Sequence, residues 1–156
     1  MKPAERHART LTTLIVDAHP MARAALALRL AQAKGLSVIG CTDTAAAVAA
    51  ARRLAPDLVI CDTRSRAGDG VALVRALSGL PLHPAVIVYT SFLEGRECQE
   101  LMEAGAVAAE LKDLRLSNLM AAIEAVRAGA GWRRSRGRAA DLRPPAVRRL
   151  QGVRRD

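Results

Sequence analysis

The stretch PDLVICD, residues 56–62, decides the fold of this chain. Its centre, Leu58 to Cys61, is apolar without alternation, which indicates a strand that is buried on both faces. Pro56 ends an alanine-rich helical stretch before it, and Asp62 closes it with an acid. Strands of this kind are typical of parallel sheets that helices cover on both sides. The sequence on either side is therefore expected to alternate between strands and helices.

Strand and helix patterns alternate outward from this stretch in both directions. The predicted strands are the apolar runs 11–17, 36–41, 57–62, 85–90 and 106–111. The predicted helices cover 20–34, 44–55, 70–77, 92–104 and 115–128. The last helix has the clearest amphipathic spacing, with apolar residues at i, i+3, i+4 and i+7. These pairs predict an α/β fold, a doubly wound five-stranded parallel sheet.

Composition excludes several classes of function. The 156 residues are 51% apolar, enough for one domain with a core. One Trp, one Tyr and one Phe exclude an aromatic platform for nucleic-acid bases. Cys41, Cys61 and Cys98 form no CxxC and no cluster with histidines, so neither a disulfide framework nor a zinc site is predicted. With no membrane-length apolar run and no signal peptide, we expect a cytoplasmic protein without a membrane partner.

Polar residues stand where four of the predicted strands end, namely Asp17, Asp62, Thr90 and Lys112. In a doubly wound sheet the carboxyl ends of the strands share one edge, and ligands bind there. A carboxylate beside a bound cation can attack an activated phosphorus while a second acid holds the metal. A lysine neutralises the phosphoryl charge and a hydroxyl donates to its oxygen. The set therefore predicts a phosphoryl-transfer site.

The sequence resembles the response-regulator receiver family, in the branch that usually carries a LuxR-type DNA-binding domain. The resemblance covers residues 11–132. It rests on LIVDAHP at 14–20, PDLVICD at 56–62, Gly70, VIVYTS at 86–91, Gly105-Ala106 and Leu111-Lys112-Asp113. It implies a flavodoxin-like (βα)5 receiver domain of a two-component phosphorelay, which is a signalling module and not an enzyme.

The resemblance also implies roles for the residues at the strand ends. Asp62 would accept phosphate from a sensor histidine kinase, and Thr90 and Lys112 would bind the phosphoryl group. Asp17 and Asp62 would hold Mg²⁺ together with the backbone carbonyl of Arg64.

Three departures from the family pattern lead us to expect impaired Mg²⁺-dependent phosphorylation. Ala18 replaces an acid that usually binds the metal directly, so we predict a weak or absent Mg²⁺ site. Ser65-Arg66 replaces the usual Met-Pro, and Ala109 replaces the aromatic residue that swings on activation. The alternative is a degenerate receiver that acts as a phosphorylation-independent interaction module or a truncated transcriptional regulator.

Two hypotheses follow from these departures. One guanidinium, with Arg66 favoured over Arg64, folds back onto Asp17 or Asp62 and replaces part of the missing cation's charge, unless both arginines point to water. Without the switch aromatic, output depends on the last helix, with the first helix as an additional element, and a homodimer forms there. Its expected surface residues are Arg115, Asn118, Ala122 and Arg127.

Simpler interpretations compete at several positions. Asp17 and Asp62 are also suited to capping the helices that follow them. Thr90-Ser91 also suits a helix start, with a capping box formed by Ser91 and Glu94. His19 is predicted to face solvent at the helix entrance and not to act as a ligand. Cys61 is predicted to be an inert core thiol.

The net charge of +9 is concentrated at the C-terminus, because residues 133–156 contain nine arginines against Asp141 and Asp156. We expect three parts: an N-terminal extension 1–10, a receiver domain 11–131 and a basic tail 132–156. Pro144-Pro145 and the lack of apolar periodicity predict low order in the tail. Either the tail is a basic arm that binds nucleic acid or an acidic partner, or a truncation or frameshift removed the DNA-binding domain.

Overall fold

The computed structural model describes residues 9–65 and 68–129, which alternate between strands and helices along the whole of this part of the chain. In order, the elements are β1 Leu11–Val16, α1 Pro20–Leu30, β2 Leu36–Thr42, α2 Ala47–Leu54, β3 Leu58–Cys61, α3 Gly70–Ser78, β4 Ala85–Thr90, α4 Gly95–Glu103, β5 Ala108–Leu111 and α5 Ser117–Ala128. All strand pairs are parallel, and the strand order is β2-β1-β3-β4-β5. The predicted doubly wound five-stranded sheet is confirmed.

Two apolar clusters pack against opposite faces of the sheet. Side chains alternate between the faces of a strand, so Leu14 and Val16 of β1 join one cluster and Ile15 joins the other. The first cluster includes residues of α2, α3 and α4. The second includes residues of α1 and α5. Strands β3 and β4 are buried along their whole length, which explains why PDLVICD lacks alternation.

The strand order reverses between β1 and β3, since β1 pairs with β2 on one side and with β3 on the other. Val16 lies opposite Cys61 in the β1–β3 register, so Asp17 and Asp62 leave adjacent strands at the same level. A crevice outside the carboxyl ends of the strands is the usual ligand position at such a reversal. The topology therefore brings the two acids together.

Several helices begin later or end earlier than the periodicity predicts, because local backbone contacts intervene. Helix α2 begins at Ala47, since the Asp43 carboxylate accepts the Ala46 N–H and holds a turn before the helix. Helix α5 begins at Ser117, because Leu116 adopts a left-handed conformation with φ 57°. Helix α1 ends at Leu30, and a turn leads to Gly35 at φ 75°, a conformation that favours glycine.

Helix α4 begins at Gly95 after Glu94 at the N-cap, and the Glu94 side chain makes no capping hydrogen bond within the described residues. The predicted capping box of Ser91 and Glu94 is therefore wrong, because the chain continues beyond Thr90 for several residues before the helix starts. In the described ranges, no helix combines the length and the apolar character that crossing a membrane requires. Apart from residues 9 and 10, the predicted extension lies outside the described residues, as does the whole predicted tail.

Candidate functional site

The four predicted strand-end residues lie at the carboxyl edge of the sheet, and three of them are in direct contact. The Lys112 Nζ donates to Asp17 Oδ2 at 2.8 Å and to Asp62 Oδ2 at 2.7 Å. Both carboxylates are buried, with the two residues 2% and 4% exposed. The site is therefore a pair of buried acids bridged by one lysine.

Backbone hydrogen bonds position these residues by extending the sheet beyond the strands. The N–H of Asp17 donates to the Thr42 carbonyl, and that of Asp62 donates to the Val16 carbonyl. The N–H of Lys112 donates to the Thr90 carbonyl at 2.7 Å. These hydrogen bonds fix the backbone at Asp17, Asp62 and Lys112, and so they fix the Cα–Cβ directions of the three side chains.

The electrostatics of the cluster favour the charged forms of Asp17 and Lys112. Burial alone would raise the pKa of Asp17, but hydrogen bonds from Lys112 and from the His19 backbone outweigh it and lower that pKa. Burial would likewise lower the pKa of Lys112, but its hydrogen bonds to Asp17 and Asp62 raise it. The lysine is thus a permanent cation beside the acids at neutral pH.

Thr90 contributes a buried hydroxyl with no hydrogen-bond partner among the described residues. The residue is fully buried at the end of β4, next to the strand that carries Lys112. A buried polar group without a partner costs free energy, on the order of 1–3 kcal/mol. Such a group is suited to donate to an oxygen atom of a ligand at this edge of the sheet.

The two acids predicted to bind a metal lie close together, and His19 lies beside them. Ligand atoms of Asp17, His19 and Asp62 all lie within 4.8 Å of one another. His19 was predicted to face solvent without acting as a ligand, and its side chain is indeed 69% exposed. Its Nδ1 nevertheless lies 3.3 Å from Asp17 Oδ1. The sequence offered one signal for this contact, the two-residue spacing from Asp17, which places the imidazole beside the acid.

Arg64 contacts the acceptor loop through its backbone and another element through its side chain. Its N–H donates to Asp62 Oδ1, and its carbonyl stays a predicted metal ligand. The guanidinium donates to Glu97 Oε2 at 2.6 Å and to the Phe92 carbonyl, and it lies 5.1 Å from the centre of the Phe92 ring. The Arg64 guanidinium therefore neither folds back onto Asp17 or Asp62 nor points only to water, because it binds α4 and the loop before it. Arg66, the favoured candidate, lies outside the described residues.

The capping interpretation of the two acids is wrong. The N-cap of α1 is His19 and that of α3 is Asp69, whose carboxylate accepts the Val71 N–H. Asp17 and Asp62 instead accept backbone N–H groups two residues on, within their own loops. This leaves Asp17 and Asp62 in the crevice with Lys112.

Cys61 fits its predicted role as a core thiol. It is fully buried, and burial together with the charges of Asp62 and Asp17 raises the pKa of its thiol to about 12. A thiol that stays protonated at neutral pH is a poor nucleophile.

Two further expectations concern the output side. Ala109 lies opposite Val88 in the β4–β5 register and packs, half buried, against the first apolar cluster. On α5, Ala122 is buried and so cannot belong to an exposed surface, because it faces the second cluster. Arg127 is largely covered too, since it donates to the Lys34 carbonyl and pairs with Glu124. Arg115 and Asn118 are exposed as predicted.

Comparisons with known proteins agree with this geometry. The profile of the response regulator receiver domain family matches residues 13–124. The chain is 30% identical over 120 residues to the transcriptional regulatory protein LiaR of Bacillus subtilis, covering 76% of this chain and 57% of LiaR. It is 32% identical over 120 residues to the response regulator GacA of Pseudomonas aeruginosa, covering 76% and 56%. The chain thus spans about half the length of the curated relatives it matches.

Solved structures give the same result. A LuxR-family two-component response regulator from Aurantimonas sp. SI85-9A1 superposes with a TM-score of 0.71 at 25% identity, over 77% of this chain and 86% of that one. The isolated receiver domain of RcsB from Salmonella enterica serovar Typhimurium gives 0.68 at 21% identity, over 78% and 91%. The second likeness supports the fold alone.

Proposed function

The chain belongs to the response regulator receiver domain family, and from this premise we propose that Asp62 accepts a phosphoryl group from a histidine kinase. The observation that carries the proposal is the contact of Lys112 with both buried acids, beside the unpartnered hydroxyl of Thr90. An acidic acceptor, a fixed cation and a free donor are protein groups that can position a phosphoryl group and stabilise its charge during transfer.

The transfer itself exchanges one bond to phosphorus for another. A carboxylate oxygen of Asp62 forms a bond to the phosphorus of the donor phosphohistidine, while the P–N bond breaks and its electron pair stays on the imidazole nitrogen. Lys112 neutralises charge on the phosphoryl oxygens, and the Thr90 hydroxyl donates to one of them. The N–H of Arg64 holds the other oxygen of Asp62 in place.

The donors present fit a magnesium ion only in part. Asp17 and Asp62 supply carboxylate oxygens, the ligand type that Mg²⁺ prefers, and the Arg64 carbonyl would add one more. Bound Mg²⁺ would supply positive charge next to the phosphoryl group. Ala18 offers no ligand, so the two carboxylates and one carbonyl are the protein ligands that remain for an ion that requires octahedral oxygen coordination. We therefore propose slow, weakly Mg²⁺-dependent phosphorylation.

Output through self-association is the second part of the proposal. Arg29 of α1 donates to the Leu114 carbonyl in the loop before α5, which holds that loop next to the end of α1. Both elements expose large apolar side chains, with Leu114 at 95% and Met21 and Leu28 of α1 also largely exposed. Exposed apolar area of this kind favours a protein partner. We propose a homodimer through α5 and α1, in a protein that acts in transcription control as its curated relatives do.

The test uses the full chain, a small phosphodonor and Mg²⁺, with intact mass as the measurement. We expect a slow gain of one phosphoryl group that Asp62→Asn abolishes, and that Glu103→Gln, at an exposed acid at the end of α4, leaves unchanged. Absence of labelling in the parent protein at long exposure would favour the phosphorylation-independent interaction module instead. Equal labelling of Asp62→Asn would place the acceptor elsewhere.

A further inference from the structure

The two carboxylates of the site use their oxygens for different neighbours. Both Oδ2 atoms accept from Lys112. The Oδ1 atoms point to the loops, where Asp17 Oδ1 accepts the His19 N–H at 2.8 Å and Asp62 Oδ1 accepts the Arg64 N–H at 2.9 Å. The charge on the Oδ1 atoms is thus met by backbone dipoles, and a cation that binds there need not displace Lys112.

The loop side of the site is open. A cavity of about 650 Å³ is lined by Ala18, His19 and Thr63, among other residues. The Thr63 hydroxyl is buried and has no partner among the described residues. An open, polar space with an unpartnered hydroxyl has room for water molecules around an ion.

His19 is placed to supply a third ligand. Its Nδ1 lies 3.3 Å from Asp17 Oδ1. Ligands of one tetrahedral zinc-type ion at roughly 2.0–2.1 Å from the metal are separated by about 3.4 Å. The imidazole therefore has the right spacing from one acid already, and its exposure leaves it free to adjust to the other.

The ligand types indicate which metal suits this set. Mg²⁺ takes oxygen ligands and strict octahedral geometry, whereas imidazole suits zinc, cobalt, nickel and other transition metals. Ala18 offers no hard oxygen ligand, and the donor atom that His19 holds beside the acids is a nitrogen. Two carboxylates with one imidazole suit a transition metal better than Mg²⁺.

We propose that Asp17, His19 and Asp62 form a binding site for a first-row transition-metal dication, with Zn²⁺ the best fit. The acids provide one oxygen each on the loop side, and Lys112 keeps its contacts with the other two. The site does not depend on phosphorylation of Asp62, so it stands or falls separately from the proposed function.

Metal binding by the metal-stripped full chain tests this without any phosphodonor. Zn²⁺ affinity is measured by competition with a chromogenic chelator, Co²⁺ by its visible absorption, and Mg²⁺ by calorimetry. We expect His19→Gln to weaken Zn²⁺ binding at least about tenfold and to abolish the nitrogen-dependent Co²⁺ spectrum, while Mg²⁺ affinity changes less than about twofold. Asp17→Asn should weaken binding of both metals.

The chain contains two other histidines, His7 and His83, and each serves as a control. His7→Gln and His83→Gln should bind Zn²⁺ as the parent protein does. The proposal is overturned if His19→Gln binds Zn²⁺ as tightly as the parent, or if either control loses as much affinity as His19→Gln. Circular dichroism of each variant checks that the fold is intact before binding is compared.

Discussion

The two sides of the Asp17–Asp62 pair differ in their occupancy, because a lysine side chain contacts both acids on one side and an open cavity lies on the other. We call the side of Thr90 and Lys112 the strand side, because β4 and β5 supply it, and the side of Ala18, His19 and Arg64 the loop side. On the strand side Lys112 contacts both acids directly. On the loop side the acids accept backbone N–H groups beside an open cavity.

This difference teaches where a site of this fold tolerates change. Strand-side residues extend hydrogen-bond ladders, so their positions are set by the core. Loop-side residues are not bound by a ladder, and their side chains can change without disturbing the sheet. We infer that phosphoryl recognition is determined by the strand side, whereas the choice of cation and the coupling to α4 are determined by the loop side.

The largest effect is expected from removing the cation of the strand side. Lys112→Met leaves two buried carboxylates facing each other, and we expect the free energy of unfolding to fall by about 3 kcal/mol at pH 7. Lys34→Met, which changes an exposed lysine, should alter it by less than about 0.5 kcal/mol. Urea unfolding measures both variants. Equal stability of Lys112→Met and the parent protein would show that the ion pair contributes nothing.

The same comparison has a defined pH dependence. The pKa of Asp17 is lowered from 3.8, so its stabilisation is present above that value and is lost as the pH falls through the folded pKa. The pKa of Lys112 is raised from 10.5, so its stabilisation is present below that value and is lost as the pH rises through the folded pKa. The stability gap between parent and Lys112→Met should be widest between about pH 4 and 10.

A smaller effect is expected from restoring an acid to the loop side. Ala18→Asp adds a hard oxygen ligand, and we expect Mg²⁺ affinity to rise about tenfold, or about 1.4 kcal/mol, with faster labelling by a phosphodonor. Ala76→Asp, at an exposed position of α3, is the matched control. Calorimetry and intact mass follow the two properties. If Ala18→Asp behaves like Ala76→Asp, the loop side does not limit metal binding.

The sequence predicts the strands and the acids well because both depend on the core. Residues 85–90 were predicted as a strand with both ends correct, since a buried parallel strand has a distinctive apolar run. Asp17 and Asp62 follow two such runs, so their meeting depends only on topology. The strands follow from the local pattern of apolar residues, and the meeting of the two acids follows from the general topology of parallel sheets.

Other features could not be predicted because they depend on individual contacts. The left-handed Leu116 delays α5, and nothing in its residue type indicates that conformation. Ala122 was assigned to the surface, although the orientation of α5 buries it. The contact of Arg64 with Glu97 joins residues far apart in sequence, so periodicity gives no sign of it.

The two sides can also be compared through the same residue type, because each contains one buried threonine hydroxyl. Thr90 on the strand side and Thr63 on the loop side each have a buried hydroxyl that finds no partner in residues 9–65 and 68–129. We expect Thr90→Val and Thr63→Val each to raise the free energy of unfolding by about 1 kcal/mol, because each removes an unpaired buried group. Thr90→Val alone should slow labelling of Asp62. Equal labelling rates would contradict a role of Thr90 in phosphoryl binding.

The smallest effect is expected from the link between the loop side and α4. Arg64 pairs with Glu97 and stacks on Phe92, but its side chain is 43% exposed, so solvent weakens both interactions. We expect Arg64→Ala to lower the free energy of unfolding by about 0.5–1 kcal/mol, with a smaller loss at high salt. Arg96→Ala, which removes a pair with Glu100 from a side chain 90% exposed, should cost less than about 0.5 kcal/mol. The Arg64 side chain joins the acceptor loop to α4, so hydrogen exchange at the start of α4 should rise in Arg64→Ala. Unchanged exchange in Arg64→Ala would mean that the acceptor loop and α4 move independently.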